Sequence, residues 1–431
     1  MGLHPGKAIV VGSGAGGCMA ARELALKGLA VTVVEAGRDF SPLTLNLNRL
    51  EAARKKGLFF NEQLIQLLFP YMRVDKAPNG LVHVRGNGVG GTTALATGNA
   101  LRYDRYLKEL GINLDAEFEE LSHEVPQTTA HRARWSELTE LLFQTFEKLG
   151  LNPQVSPKFL VDPSRCVACG RCVLGCRYGA KWTADKLIRD LEGVEIVPRM
   201  RARKVLIKDG RATGVVAYHG TKRHVLGADL VILAAGGLGT PPILTASGIP
   251  TSATLFVDPV LCIAAPWEGA KLDRQMPMPF ISQQEGYIIS PYFDWMSFYF
   301  NPEWRQPSSD MLSIMIKMAD CSRGSFDGSR LDKPFLDEDF QVLNRAVPQV
   351  HQIFEELGIE REDTFWGTIN AGHPGGCFPL TKAEATTLHH KILPANLYLA
   401  DPSLFPRSMG NPPILTIMAL AKRVARMAAS I

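Results

Sequence analysis

One stretch near the start of the chain, KAIVVGSGAGGCMAARELALKGLAVTVVEAG, constrains the fold more than any other. Ala8 to Val11 is a short unbroken apolar run, as expected of a strand buried in a parallel sheet. Gly12, Gly14 and Gly17 follow in G-x-G-x-x-G spacing, and Ala20 and Leu24 continue at helical period until Gly28. A second apolar run, Val31 to Val34, ends in Glu35. The spacing predicts a strand–turn–helix–strand unit of about 30 residues, with an acid about 20 residues after the glycines. In such a unit Gly12 permits the tight turn, Gly14 lets a pyrophosphate approach the backbone, and Gly17 lets helix and strand pack closely. The helix start favours phosphate, and Glu35 would accept hydrogen bonds from a ribose hydroxyl. The unit alone does not choose between NAD and FAD.

The remaining segments narrow the choice. VHVRGNGVGGTTALATGNALR, residues 82–102, is a second glycine-rich stretch whose backbone could lie against a flat ligand. VEIVPRMRARKVLIKDGRATGVVAYHG alternates as strands do, with a turn at Asp209-Gly210. DLVILAA is another buried strand, and GGLGTPPILTASGI follows it. NLYLADPSLFPRSMGNPPILTIMALAKRVARMAASI combines a strand, an acid, a loop rich in Pro and Gly, and an amphipathic helix.

These blocks, in this order, resemble the glucose–methanol–choline (GMC) oxidoreductase family, whose members bind FAD. The resemblance rests on the first glycine motif, RGNGVGGTTALATGN, VILAAGGLGTPPILTASGI, AGHPGGC and NLYLADPSLFPRSMGNPPILTIMALA. It implies an α/β fold: a Rossmann-like FAD domain assembled from separate segments (1–45, 80–105, 185–255 and 390–431) and an antiparallel-sheet substrate domain (256–389). A lid segment (46–79) and a helical, Cys-rich segment (106–184) complete the chain. It also implies that Gly12, Gly14, Gly17 and Glu35 hold the ADP half of FAD, with the backbone of Val205 meeting the adenine. Gly90, Gly91, Thr92 and Thr93 would line the pyrophosphate and isoalloxazine, and Asp401 would contact the flavin. Arg85, Asn99, Ala235 and Pro412 fall in the same blocks as further cofactor contacts.

His373 and Asn411 match the family's active-site pair. Alcohol oxidation needs the hydroxyl proton to leave as hydride moves to the flavin, and an imidazole titrates in the right range to take it. Asn411 cannot take a proton, but its amide could orient the substrate oxygen; packing ahead of the last helix is its alternative role. The other nine histidines, His83 among them, sit in no comparable context.

CVACGRCVLGC carries Cys166, Cys169, Cys172 and Cys176 in ferredoxin spacing. The nearby GCRYGAKWTA is similar to long-chain alcohol oxidases. Three readings stand for these thiols: a 4Fe–4S cluster, a closed zinc site, and cysteines without metal. The first is the leading expectation, with Cys18, Cys262, Cys321 or Cys377 as substitutes for the fourth ligand. It predicts a dehydrogenase that passes electrons from flavin through the cluster to a one-electron acceptor protein or partner subunit. The rivals are a flavin and cluster relay within a larger complex, and an alcohol oxidase without cluster. The substrate would be a small-molecule alcohol, or a carbonyl compound were the reaction to run in reverse.

Composition excludes other classes. Lys and Arg number 47 against 43 Asp and Glu, too balanced for nucleic acid as the partner. No apolar run approaches a membrane span, and MGLHPGKAIVVG enters a strand without a leader-like apolar region, so a cytoplasmic location is expected.

Overall fold

The computed structural model describes residues 6–39, 47–58, 60–61, 66–67 and 69–430. Part of the expected lid segment, 46–79, therefore lies outside the described residues. The opening unit forms as its pattern dictates: β1 (Lys7–Val11), α1 (Ala15–Leu26) and β2 (Ala30–Val34). β1 and β2 pair in parallel, because the helix between them carries the chain back to the same edge. Strand Leu230–Leu233 flanks β1 on its other side, and Leu397–Leu399 pairs with that strand in turn. Val194–Val197 closes the far edge to give a five-stranded parallel sheet. Helix Ile414–Ala428 packs on α1, and Gly16 lets the chain leaving strand Leu397–Leu399 approach α1 closely: a Cβ there would overlap the carbonyl of Ala400.

Met200–Lys208, Arg211–His219 and Lys222–Gly227 form a separate antiparallel ribbon. Its first turn places Asp209 at φ 50° and Gly210 at φ 71°, the left-handed pair of a type I′ hairpin.

A nine-stranded sheet makes the second layer. Its centre, Val260–Pro266 and Met311–Met318, is antiparallel and buried on both faces. The sheet is mixed, because Val82–Gly86 runs parallel to Asn370–Ala371. Aromatic and β-branched residues, including Trp295, Trp304 and Phe280, fill the core beneath it.

The cysteine loop corrects the leading expectation. Among the described residues, no group of three or more His, Cys, Asp or Glu side chains is arranged to hold a metal ion. Cys166, Cys169, Cys172 and Cys176 are free thiols, so the 4Fe–4S cluster, the zinc alternative and the electron exit built on them all fall. The physical reason is how the loop packs. The indole of Trp295 donates to the Gly170 carbonyl (2.9 Å), and a side chain on Gly170 would overlap the backbone of Asp273. The Lys181 ammonium fills the loop's inner side, donating to the carbonyls of Ala94, Ala96 and Cys172, each at 2.8 Å. Burial pushes the Cys172 thiol up to about 12, which keeps it protonated, whereas a ligand must be thiolate.

Candidate active site

A cleft opens where the two large sheets meet. Its walls come from the turn after β1, the end of β2, strand Val82–Gly86, residues 234–239 and 372–374, and the start of helix Ile414–Ala428. Gly12 turns the chain at φ 99°, and a Cβ there would overlap the Ala234 carbonyl. Nothing lies within 4 Å of the place where a Gly14 side chain would stand, and no side chain caps the first amides of α1. The floor is thus open backbone at a 12-residue helix N-terminus, which suits a diphosphate. Glu35 sits beside it, buried. Its carboxylate accepts from Ser13 N (3.1 Å), Ser13 Oγ (2.7 Å) and Gly37 N (2.8 Å). This open floor with a carboxylate at its side fits the ADP half of FAD.

On the opposite wall Asp401 accepts from Gly236 N (2.9 Å), Ser403 N (2.8 Å) and the Thr240 hydroxyl. Burial raises its proton affinity, and these donors oppose the rise. Burial also pushes the nearby Cys377 thiol up to about 12, so it packs beside Asp401 as a neutral group.

His373 enters the cleft just after strand Asn370–Ala371. Its pKa is held well below the ordinary imidazole value, first by burial, then by the cation of Lys317 and by His83. At neutral pH it is therefore an uncharged ring able to accept a proton. Lys317 is itself held by Asp258 at 2.5 Å, and both side chains are only 1% exposed. Asp258 also accepts from the Ser408 hydroxyl and from Met409 N (3.2 Å). Since Asn411 Nδ2 donates to the Met409 carbonyl (3.3 Å), the ion pair anchors the segment that carries Asn411. A second buried pair, Lys333 and Asp320 at 2.9 Å, clamps the backbone amides of Val257 and Asp258.

The cleft gathers Gly12, Gly14, Glu35, Arg85, Gly91, Thr92, Thr93, Ala235, His373 and Asp401. Gly17 and Gly90 stand behind its wall: a Gly17 Cβ would overlap the Gly12 carbonyl, and Gly90 N donates to Ser13 Oγ. Asn411 is buried two residues before Pro413, which lines the cleft where Pro412 does not. Asn99 is turned elsewhere, bonding Lys158 and the Met278 sulfur. Val205 gives its amide to Ser247, and the cleft is reached instead by Arg201 and Ala202 of the same strand. Ser13, Lys317 and Asp258 escaped the sequence analysis. The signal for Lys317 was a lysine inside the otherwise apolar MLSIMIKM.

Comparison with known proteins agrees with this architecture. The family pattern described as GMC oxidoreductase matches residues 7–265. The chain belongs to that family, and is thus an oxidoreductase with the family's FAD-binding fold. An uncharacterised protein of Methanocaldococcus jannaschii is 24% identical over 79% of this chain and 86% of its own length. An uncharacterised GMC-type oxidoreductase of Mycobacterium tuberculosis is 31% identical over 56% of this chain, and a long-chain-alcohol oxidase of Arabidopsis thaliana is 28% identical over 57%. The matched region spans only 39% and 34% of those two longer proteins. Among solved structures, pyridoxine 4-oxidase from Mesorbium loti superposes with a TM-score of 0.72 at 17% identity, covering 97% of this chain and 98% of its own. Formate oxidase of Aspergillus oryzae gives 0.70 at 12% identity, with 99% of each chain covered. At these identities the structures speak for the fold. Among the described residues, no helix is long and apolar enough to cross a membrane.

Proposed function

We propose that the protein is an FAD-dependent oxidoreductase acting on the CH–OH group of a small-molecule substrate, and that His373 is its general base. The observation that carries this is a half-buried, uncharged imidazole in the wall of a cleft whose floor suits FAD. Gly12, Gly14, Glu35, Gly91, Thr92 and Asp401 would hold the cofactor, which when bound supplies the hydride acceptor. His373 accepts the hydroxyl proton as the C–H bond breaks. Asn411, buried outside the cleft lining and donating to the Met409 carbonyl, positions the loop ahead of Ile414, which Asp258 braces through the Met409 amide. Ile414 and Ile417 add apolar wall to the cleft, Ile417 beside Gly16 at the start of α1. The loop of four thiols holds no metal-binding group, and oxygen and quinones are the acceptors to assay.

Anaerobic stopped-flow reduction of the flavin tests the base. His373→Ala should slow reduction by alcohols about 10²–10⁴-fold while flavin remains bound. An unchanged single-turnover rate would remove His373 from the chemistry.

A further inference from the structure

His83 is a buried titratable group that this mechanism does not use. It lies on strand Val82–Gly86, two residues before Arg85, and side chains two apart share one face of a strand. Arg85 lines the cleft, and His83 lies on the same strand face one step behind that lining, fully buried. The neighbouring strand runs parallel with Ala371 opposite His83, and that chain continues directly into His373. The two rings are electrostatic neighbours, for His83 helps hold down the proton affinity of His373.

What sets His83 apart is its hydrogen bonding. The ring is completely buried, yet neither nitrogen meets a hydrogen-bonding group among the described residues, and nor does His373 Nδ1. Burial pulls the His83 pKa to about 3, so the ring is neutral, with one nitrogen a donor and the other an acceptor. Nearby charges are paired, Arg85 with Asp75 (3.0 Å) and Lys317 with Asp258 (2.5 Å). Buried donors and acceptors are costly to leave unmade, and their persistence beside a reaction centre points to a ligand that satisfies them.

We propose that His83, next to His373, forms a subsite for a second oxygen on the substrate, borne by the carbon adjacent to the one being oxidised. The substrate class is a vicinal diol or a 2-hydroxy carbonyl compound, not a plain alkyl alcohol. His373 handles the reacting hydroxyl, and His83 pairs with the neighbouring oxygen, donating to it or accepting from it. A methylene in that place would leave the ring nitrogens unpaired, which is how a site built for a hydroxyl rejects the analogue lacking one. This reading rests on the role of His373 proposed above.

The holoprotein is mixed anaerobically with matched pairs, propane-1,2-diol against propan-1-ol and octane-1,2-diol against octan-1-ol, and flavin bleaching is followed. Within a pair the diol should reduce the flavin at least about tenfold more efficiently. His83→Leu should bring that ratio to within about twofold by slowing the diol alone, and His83→Gln should recover part of it. A purely structural role for His83 would slow both partners equally. Equal efficiencies in the parent protein overturn the subsite, as does a ratio that His83→Leu leaves intact. Reduction by neither member of any pair instead overturns the alcohol reading, and the subsite with it.

Discussion

Replacing Lys317 with Met separates the structural from the electrostatic consequences of its ion pair. Lys317 and Asp258 are 1% exposed, so water does not screen them. Removing one partner of such a pair costs about 3–5 kcal/mol, because the other charge stays buried and uncompensated. Asp258 keeps the Ser408 hydroxyl and the Met409 amide as donors, which places the cost near the lower end, about 3 kcal/mol. Unfolding entropy near 2.1 cal/mol/K per residue amounts to roughly 0.9 kcal/mol/K for 431 residues. The melting temperature of the holoprotein should therefore fall by about 3–4 °C in differential scanning calorimetry. The double variant Lys317→Met/Asp258→Asn should lose clearly less than the sum of the two single losses, since close pairs couple by roughly 0.5–3 kcal/mol. The same substitution tests the electrostatics. His373 accepts a proton only when uncharged, so flavin reduction rises as pH climbs through its pKa. The Lys317 cation holds that pKa down; without it the pKa rises, and the acid limb of the rate profile moves to higher pH. A melting point within about 1 °C of the parent, additive losses in the double variant, or an acid limb that stays in place would each refute this account.

Further outcomes follow from other parts of the molecule. Gly12→Ala puts a Cβ at φ 99° and into the Ala234 carbonyl, so flavin affinity measured by fluorescence titration should weaken at least about tenfold; parent-like binding would contradict the cradle. Glu120 is pulled down to about 2 by Arg426, and Glu23, despite burial, is lowered by Lys422 and Arg426. Their contribution is complete above the unfolded value of 4.5 and is lost as pH falls toward 2, so melting temperature should drop across that interval and drop less in Arg426→Met. A level profile would exclude the network from stability. Anaerobic metal analysis of the purified protein should return iron and zinc far below one per chain; four irons with matching sulfide would overturn the description of the cysteine loop.

Local patterns were readable where local chemistry decides. The turn at Gly12, the strands beside it and the acid at Glu35 follow from period and glycine spacing, which act within about 30 residues. Asn99 and Val205 lie in the right segments, but their directions depend on Lys158, Met278 and Ser247, partners supplied from far along the chain. The cysteine run shows the same division more sharply. Its spacing is a local fact, but whether thiols converge depends on Trp295 and Lys181 pressing on the loop. His83 had no readable signal at all, because one histidine in a strand says nothing about which distant strand will pair beside it and bring His373 near.

The order of strands in the parallel sheet sets a timetable for synthesis. β1 finds β2 almost at once, but its other edge pairs with Leu230–Leu233, and that strand waits for Leu397–Leu399. At about 5–20 residues per second, the apolar edge of β1 emerges from the ribosome roughly 10–45 s before its partner. An unpaired strand is a template for the wrong neighbour during that delay. Flavin can meet a complete cleft only after Ile414 and Ile417 have emerged. Cells short of flavin should accordingly accumulate full-length but aggregation-prone chains rather than truncated ones.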